Sequence, residues 1–294
     1  MLAMDSTPLN ATLPAFNRSL VFQCGEMMEG IMTWAFFSVL VLLLGSLASV
    51  CVLWDLVDKH YRGRQPMTSN SWFTLNVTLM DVVFLAFLLP EVLNVLLWQS
   101  EEYQRFAYLV YSLNYSGRPL FAACVCLDCY MAVLHPLRYR SQSLRTRALI
   151  TAGVWLATLA HGSAILAEPG LLTEPLMSWP FFCSLVVILY CDGRLLWALG
   201  RPGTSRGGEP HPQKKRALRI VAVSLVIALG NYLFTLLATT LGRLLVPDER
   251  RYVCLVVFLA TIPVELTTVL MPGLYLRGTG RLCCLPPTCC NHQL

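Results

Sequence analysis

Apolar residues along this chain collect into long runs, with polar residues largely confined to the stretches between them. A helix needs roughly 20 mostly apolar residues to cross a bilayer. Seven runs fit: Ile31 to Trp54, Trp72 to Trp98, Phe106 to Leu127, Ala148 to Ala167, Pro175 to Cys191, Ile220 to Gly242 and Tyr252 to Leu276. The fifth is open to an amphipathic continuation as far as Leu199. All are too long and too evenly apolar to be strands of a membrane barrel. The pattern predicts an all-α membrane protein, a seven-transmembrane-helix bundle over residues 31–276. A tail of residues 1–30 precedes the bundle and a tail of residues 277–294 follows it.

Charge sets the orientation. Charged residues make up only 13% of the chain, against about 25% in soluble domains. Of the 22 Lys and Arg residues, sixteen fall in alternate connections and the last tail, and five in the others. Positive residues stay on the cytoplasmic side, so the N-terminus is expected outside and the C-terminus in the cytosol. The net charge of +5 then belongs to basic loops and anionic membrane lipids, and no nucleic-acid partner is expected. No early apolar run precedes the first helix, so no cleavable leader is expected. The sequons at Asn10 and Asn17 lie in the expected outer tail and are candidate glycosylation sites. Cys283, Cys284, Cys289 and Cys290 follow the last run on the cytosolic side, a spacing that suits palmitoylation. A zinc site there is the weaker alternative, with only His292 nearby.

Four charged residues lie within the runs: Asp81, Glu91, Arg118 and Glu265. Intramembrane charges are rare and mark functional positions by default. The bland reading is a structural hydrogen bond, or snorkelling for Glu91. Lys59, Lys214 and Lys215 are the only lysines and fall in connections, so none is placed to carry a Schiff-base cofactor. No metal-ligand pair stands at helical spacing and no Gly-x-Ser-x-Gly occurs. No cofactor is expected, and the chain is not read as an enzyme.

Short motifs add a resemblance. Leu127-Asp128-Cys129-Tyr130 ends the third run, followed by His135-Pro136-Leu137-Arg138-Tyr139. The second run carries Leu75-Asn76-Val77, then Asp81 and Pro90; the fourth has Trp155; the seventh ends Met271-Pro272-Gly273-Leu274-Tyr275. On the right helices and in the right order, these resemble the motifs of the rhodopsin-like (class A) G-protein-coupled receptors. The resemblance runs from Ile31 to about Leu282. It implies a plasma-membrane receptor that binds an unidentified extracellular ligand and signals to a heterotrimeric G protein, with Asp128, Cys129, Tyr130, Pro272 and Tyr275 as activation motifs.

The departures are as informative. Cys129 stands where the family carries the arginine that meets the G protein, and a thiol offers no charge and only a weak donor. The sixth run, Leu229-Gly230-Asn231-Tyr232-Leu233, lacks the family's tryptophan and kinking proline. Ser46 follows Gly45 where Asn is usual, and Met271 replaces the usual Asn or Asp. The disulfide from the third helix to the next outer loop is absent. The resemblance offers another bridge, between Cys24 and Cys254, whose helix ends are neighbours in such receptors; two free thiols are the alternative. Tyr111 stands where amine receptors carry their ammonium-binding Asp, so a ligand of that type is not expected. Tyr111, Glu265 and Glu91 are the candidate ligand pocket, and a cationic ligand group is favoured if both acids face it.

Asp81 takes the place of the family's sodium-binding acid. At ~1.5 Å per residue, Asp81, Arg118 and Glu265 lie at similar depth. In the resembled fold the second, third and seventh helices adjoin, so the resemblance implies a buried Asp81–Arg118 ion pair replacing the sodium ion, with pairing of Arg118 to Glu265 or to backbone carbonyls as the alternatives. Rival readings are a chemosensory receptor, suggested by His135 to Tyr139, and a non-signalling partner or decoy, favoured by Cys129. A transporter using Asp81, Arg118 and Glu265 would show paired repeats, which the sequence lacks.

The topology is directly testable. Glycosidase treatment of surface-labelled protein should increase its mobility, and combined Asn10→Gln and Asn17→Gln substitution should abolish the shift. A native protein without any shift would count against an outside N-terminus.

Overall fold

The computed structural model describes residue 24 and residues 28–62, 69–167, 178–200 and 212–279. Asn10, Asn17 and the four tail cysteines lie outside the described residues. Among the described residues all regular structure is helical, and seven helices are long and apolar enough to cross a membrane. They are α1 (Met28–Tyr61), α2 (Asn70–Trp98), α3 (Glu101–Leu134), α4 (Leu144–Ala167), α5 (Trp179–Gly200), α6 (Val221–Gly242) and α7 (Tyr252–Thr279). Large apolar residues such as Phe36, Leu47, Leu149, Leu156 and Val226 stay exposed, as they must on surfaces that face lipid rather than water.

Helices run past the apolar runs at several ends, α1 to Tyr61 and α3 to Leu134 among them. Two extensions have a clear local reason. The α3 helix begins at Glu101 rather than Phe106. Gln99 adopts a left-handed φ of 49° that closes α2. Ser100 then caps α3, its Oγ accepting from the Tyr103 backbone N–H at 3.4 Å. Glu101 and Glu102 occupy the first turn, where the helix dipole favours acids. The α5 helix runs on to Gly200, past Asp192 and Arg194. Asp192 and Leu195 are buried while Arg194 stacks over the Trp197 ring at 5.1 Å, so the last turns are amphipathic.

Several helices carry π-turns. In α3, Leu113–Gly117 is wound this way, immediately before Arg118 and Pro119. Pro119 has no N–H for the Tyr115 carbonyl, and its ring crowds that carbonyl. A wider turn relieves both problems, and π-turns favour functional positions. In α6 the π-turn Leu229–Leu233 falls where the family's proline is missing. It supplies an irregularity without proline and buries Asn231 and Tyr232.

The α1 helix is fastened to α7 at three depths. A Cys24–Cys254 disulfide joins them at one end, with Cα atoms 5.7 Å apart. At that end a Cβ on Gly30 would lie 2.5 Å from the Cys254 carbonyl oxygen, so only glycine permits the approach. In the middle, Trp34 Nε1 donates to Glu265 Oε1 at 2.9 Å and Ser38 Oγ donates to Glu265 Oε2 at 2.8 Å. At the far end, Tyr275 donates to Asp55 Oδ2 at 2.9 Å, and Lys59 bonds the same oxygen at 2.6 Å.

Trp34→Phe keeps an aromatic ring in the α1–α7 seam but removes the indole donor from Glu265. Thermal unfolding of the detergent-solubilised protein should show a loss of about 1–3 kcal/mol. Equal stability of the variant would show that Glu265 does not depend on this bond.

Candidate functional site

The charged centre of the bundle joins three helices. Asp81 on α2 and Arg118 on α3 form an ion pair, both nearly fully buried. Arg118 Nη1 also donates to Thr267 Oγ1 on α7 at 2.8 Å. The Thr267 hydroxyl can accept because its own proton goes to the Val264 carbonyl at 2.6 Å. Arg118 therefore stands between Asp81 on one side and Thr267 on the other, and the pair does not stand alone in an apolar core.

Glu265 lies elsewhere. Both its oxygens turn to α1, away from Arg118. Of the two readings left open for this acid, the geometry is that of the structural hydrogen bond, and the alternative pairing of Arg118 with Glu265 is replaced by Asp81 and Thr267. The sequence offered only Arg118 as a partner for Glu265, because Trp34 and Ser38 read as ordinary members of an apolar run.

Towards the disulfide end, Glu91 and Tyr111 line one small cavity between α2 and α3 with Phe84, Phe87, Leu88 and neighbouring apolar side chains. Glu91 is 4% exposed, so it does not snorkel. Gln104 Nε2 donates to Glu91 Oε1 at 3.0 Å. Gln104 is itself held by Asn94, whose Nδ2 donates to Gln104 Oε1 at 3.2 Å, and Asn94 Oδ1 accepts from the Ser100 N–H at 2.9 Å. The α2–α3 turn thus fixes the position of the acid. Tyr111 packs edge-on to Phe84 at 5.8 Å and to Tyr115 at 6.4 Å.

At the opposite end, Asp128 is buried and accepts from the Tyr139 hydroxyl at 3.3 Å. Tyr139 belongs to a short helix, Pro136–Ser141. Burial and then the neighbouring Asp128 push its phenol above the ordinary value, which keeps the hydroxyl a donor. Cys129 packs against the α3–α5–α6 core. Nearby, Cys126 Sγ donates to Asp192 Oδ2 at 3.9 Å. Tyr130 packs against His135 at 5.6 Å and Tyr190 at 5.8 Å. Pro272 is buried within α7, and Tyr275 is turned to Asp55 on α1. Asp55 and Asp192 fell outside the expected site, Asp55 lying one residue beyond the end of its run and Asp192 one residue beyond the end of the fifth.

No family model matches the chain. Individual proteins do. Chemokine XC receptor 1 from Homo sapiens is 30% identical over 222 residues, 69% of this chain and 64% of that protein. Lysophosphatidic acid receptor 5 from Bos taurus is 28% identical over 152 residues, 41% of this chain and 40% of that receptor. Hydroxycarboxylic acid receptor 2 from Rattus norvegicus is 24% identical over 183 residues, 54% of this chain and 50% of its own length. These are rhodopsin-like receptors, and the similarity accompanies seven membrane-length helices. Over 69% of its length the chain is similar to a rhodopsin-like receptor. It is a multi-pass protein of the plasma membrane, and its relatives are receptors rather than enzymes. The chain spans just under two thirds of the chemokine receptor's length. The three relatives are named for unlike ligands, so similarity does not nominate one for this chain.

Breaking the central pair should be costly, because either partner alone is stranded. Arg118→Ser should destabilise the protein by roughly 3–5 kcal/mol. Combining it with Asp81→Asn should cost less than the two single losses together, as read from thermal unfolding in a double-mutant cycle. Additive losses would show that the two side chains are not coupled.

Proposed function

We propose that the chain is a G-protein-coupled receptor that senses an extracellular ligand and signals to a heterotrimeric G protein. Its similarity to several receptors of this family carries the reading. In this reading the N-terminus is outside, with glycans on Asn10 and Asn17, and the C-terminal tail is cytosolic, with palmitate on Cys283, Cys284, Cys289 and Cys290. Glu91 and Tyr111 belong to the ligand cavity. Asp128, Cys129, Tyr130, Pro272 and Tyr275 belong to the cytosolic switch.

Signalling is a shift of population between two packings of the bundle, and a ligand acts only by its differential affinity for them. The Asp81–Arg118–Thr267 joint lies between the cavity and the Asp128 end and touches α2, α3 and α7. A rearrangement that separates these helices must break or rebuild it. The Arg118 guanidinium supplies the positive charge that sodium supplies in other family members, so this receptor works without that ion.

One observation favours a second reading, a receptor-like partner that binds without activating. Cys129 removes the cation that would meet a G protein. Parallel G-protein and arrestin readouts across a ligand library test the receptor reading. Within it, native protein should drive nucleotide exchange weakly, and Cys129→Arg should raise exchange several-fold at equal surface expression. Strong exchange by the native chain with no gain in the arginine variant would remove the case for a decoy.

A further inference from the structure

The connection from α3 to α4 includes Arg138-Tyr139-Arg140-Ser141-Gln142-Ser143-Leu144. Ser143 has arginines three and five residues before it and an apolar residue directly after it. In an extended chain, residues two apart project to the same side. Arg138, Arg140 and Leu144 then share one edge. Two guanidinium groups and an apolar side chain along one edge suit a groove with acidic groups and an apolar pocket. Charge patterns of this kind are how kinases choose their substrates.

The structure leaves this stretch open. Arg138, Arg140, Ser143 and Leu144 are all exposed. Pro136–Ser141 forms a short helix in which no residue is buried, and a helix of that length is marginal by itself. Gln142 is already extended, with φ −64° and ψ 121°. The segment can therefore lie extended in a groove by giving up little more than the Tyr139–Asp128 hydrogen bond. Ser141 suits the same groove less well. It has no arginine five residues before it and no apolar residue after it, and its Oγ donates to the Arg138 carbonyl at 2.9 Å.

A phosphate on Ser143 would meet a waiting donor. Ser143 caps α4, its Oγ accepting from the Thr146 backbone N–H at 3.2 Å. Arg147 lies one turn on, its own N–H bonded to the Ser143 carbonyl at 3.5 Å, and side chains four apart on a helix are neighbours. The Arg147 guanidinium rests over the Tyr139 ring at 5.9 Å. Its Nε is buried without a hydrogen-bond partner among the described residues. A buried donor left unmet is unfavourable, and phosphate oxygens accept strongly from arginine.

We propose that Ser143 is a phosphorylation site for a serine kinase that reads both arginines and the following leucine, and that Arg147 receives the phosphate. MgATP supplies the group. The bond from the γ-phosphorus to its bridging oxygen breaks, a bond from Ser143 Oγ to that phosphorus forms, and ADP leaves. The hydroxyl proton passes to the kinase's catalytic aspartate. The modification draws Arg147 from the Tyr139 ring and so acts on the residue that holds Asp128. The inference rests on the receptor reading in one respect, the cytosolic placement of this connection.

The test incubates the full-length protein in detergent with MgATP and purified protein kinase B, an enzyme of this selectivity. Mass spectrometry should find phosphate on Ser143. Arg138→Ala and Arg140→Ala should each slow its incorporation at least ~tenfold, about 1.4 kcal/mol in the transition state. Ser143→Asn keeps a capping side chain and should abolish it. Phosphorylation should raise Tm, and Arg147→Gln should remove most of that gain. No phosphate on Ser143, or a rate indifferent to both arginines, would overturn the site. An undiminished gain in Arg147→Gln would overturn Arg147 as the receiving group. Detergent opens both faces, so these outcomes do not depend on orientation. Kinase and MgATP added outside intact cells should leave Ser143 unmodified. Modification there would overturn the cytosolic placement, and with it the receptor's orientation, while the detergent result still decides the site.

Discussion

The bundle is organised around the buried contact between Asp81 and Arg118. A single unpaired charge at mid-bilayer costs at least ~2.5–3.5 kcal/mol on insertion scales, so neither residue is tolerable there alone. Each one fixes where the other must be. The Pro119 imide and the π-turn before it set the direction in which Arg118 leaves α3. Thr267 takes a second guanidinium N–H and brings α7 into the same contact. Three helices are thus placed by one arginine, and the neighbouring Gly117 lets Met80 of α2 and Thr158 of α4 pack against bare backbone, where a Cβ would lie 2.6 Å from the Met80 sulfur.

The α1 helix has a different status. It is one of the two least buried spans, yet it is tied to α7 covalently at one end, by a shared carboxylate in the middle and by Asp55 at the other end. These ties act on α7 from the side opposite Arg118. The α7 helix is therefore held between Thr267, which faces α3, and Glu265, which faces α1, two residues apart in sequence. A movement of α7 relative to the rest must exchange hydrogen bonds on both sides, and such discrete alternatives are what separate packing states in a close-packed interior. Tyr275 belongs to the same set. Its hydroxyl is occupied by Asp55, so the switch motif starts from a bonded state.

Much of this was legible in the sequence, and the reason is physical. Apolar length and the distribution of Lys and Arg are summed over many residues, so seven spans were readable. Their ends were less so, because features such as the Ser100 cap and the amphipathic face of Asp192 and Leu195 act locally. Depth along a helix is also simple arithmetic, which put Asp81 and Arg118 at one level; the resemblance made their helices neighbours, and the two are found in contact. Direction about the helix axis is not simple when π-turns intervene. Glu265 shares that depth but turns to Trp34 and Ser38, and nothing in an apolar run distinguishes an indole that caps a carboxylate from one that merely packs. The Cys24–Cys254 pairing came from the resemblance, since cysteine counting alone leaves the partner open.

The four charged residues expected within the spans divide by what their polar atoms do. Asp81 and Arg118 neutralise each other, and Glu265 gives both oxygens to α1. These three hold helices together. Glu91 shares the burial of the others, and one of its oxygens is bound by a network that starts at the Ser100 N–H and passes through Asn94 and Gln104. That network fixes the carboxylate without consuming it. A residue needed only to join α2 to α3 would gain more by bonding through both oxygens, as Glu265 does. An aliphatic side chain in place of Glu91 would leave the buried Gln104 amide without its acceptor. Asp81, like Glu91, keeps one oxygen without a hydrogen-bond partner among the described residues, so what distinguishes Glu91 is its partner: Asp81 is neutralised by a cation on another helix, whereas Glu91 is held by the neutral amide of Gln104.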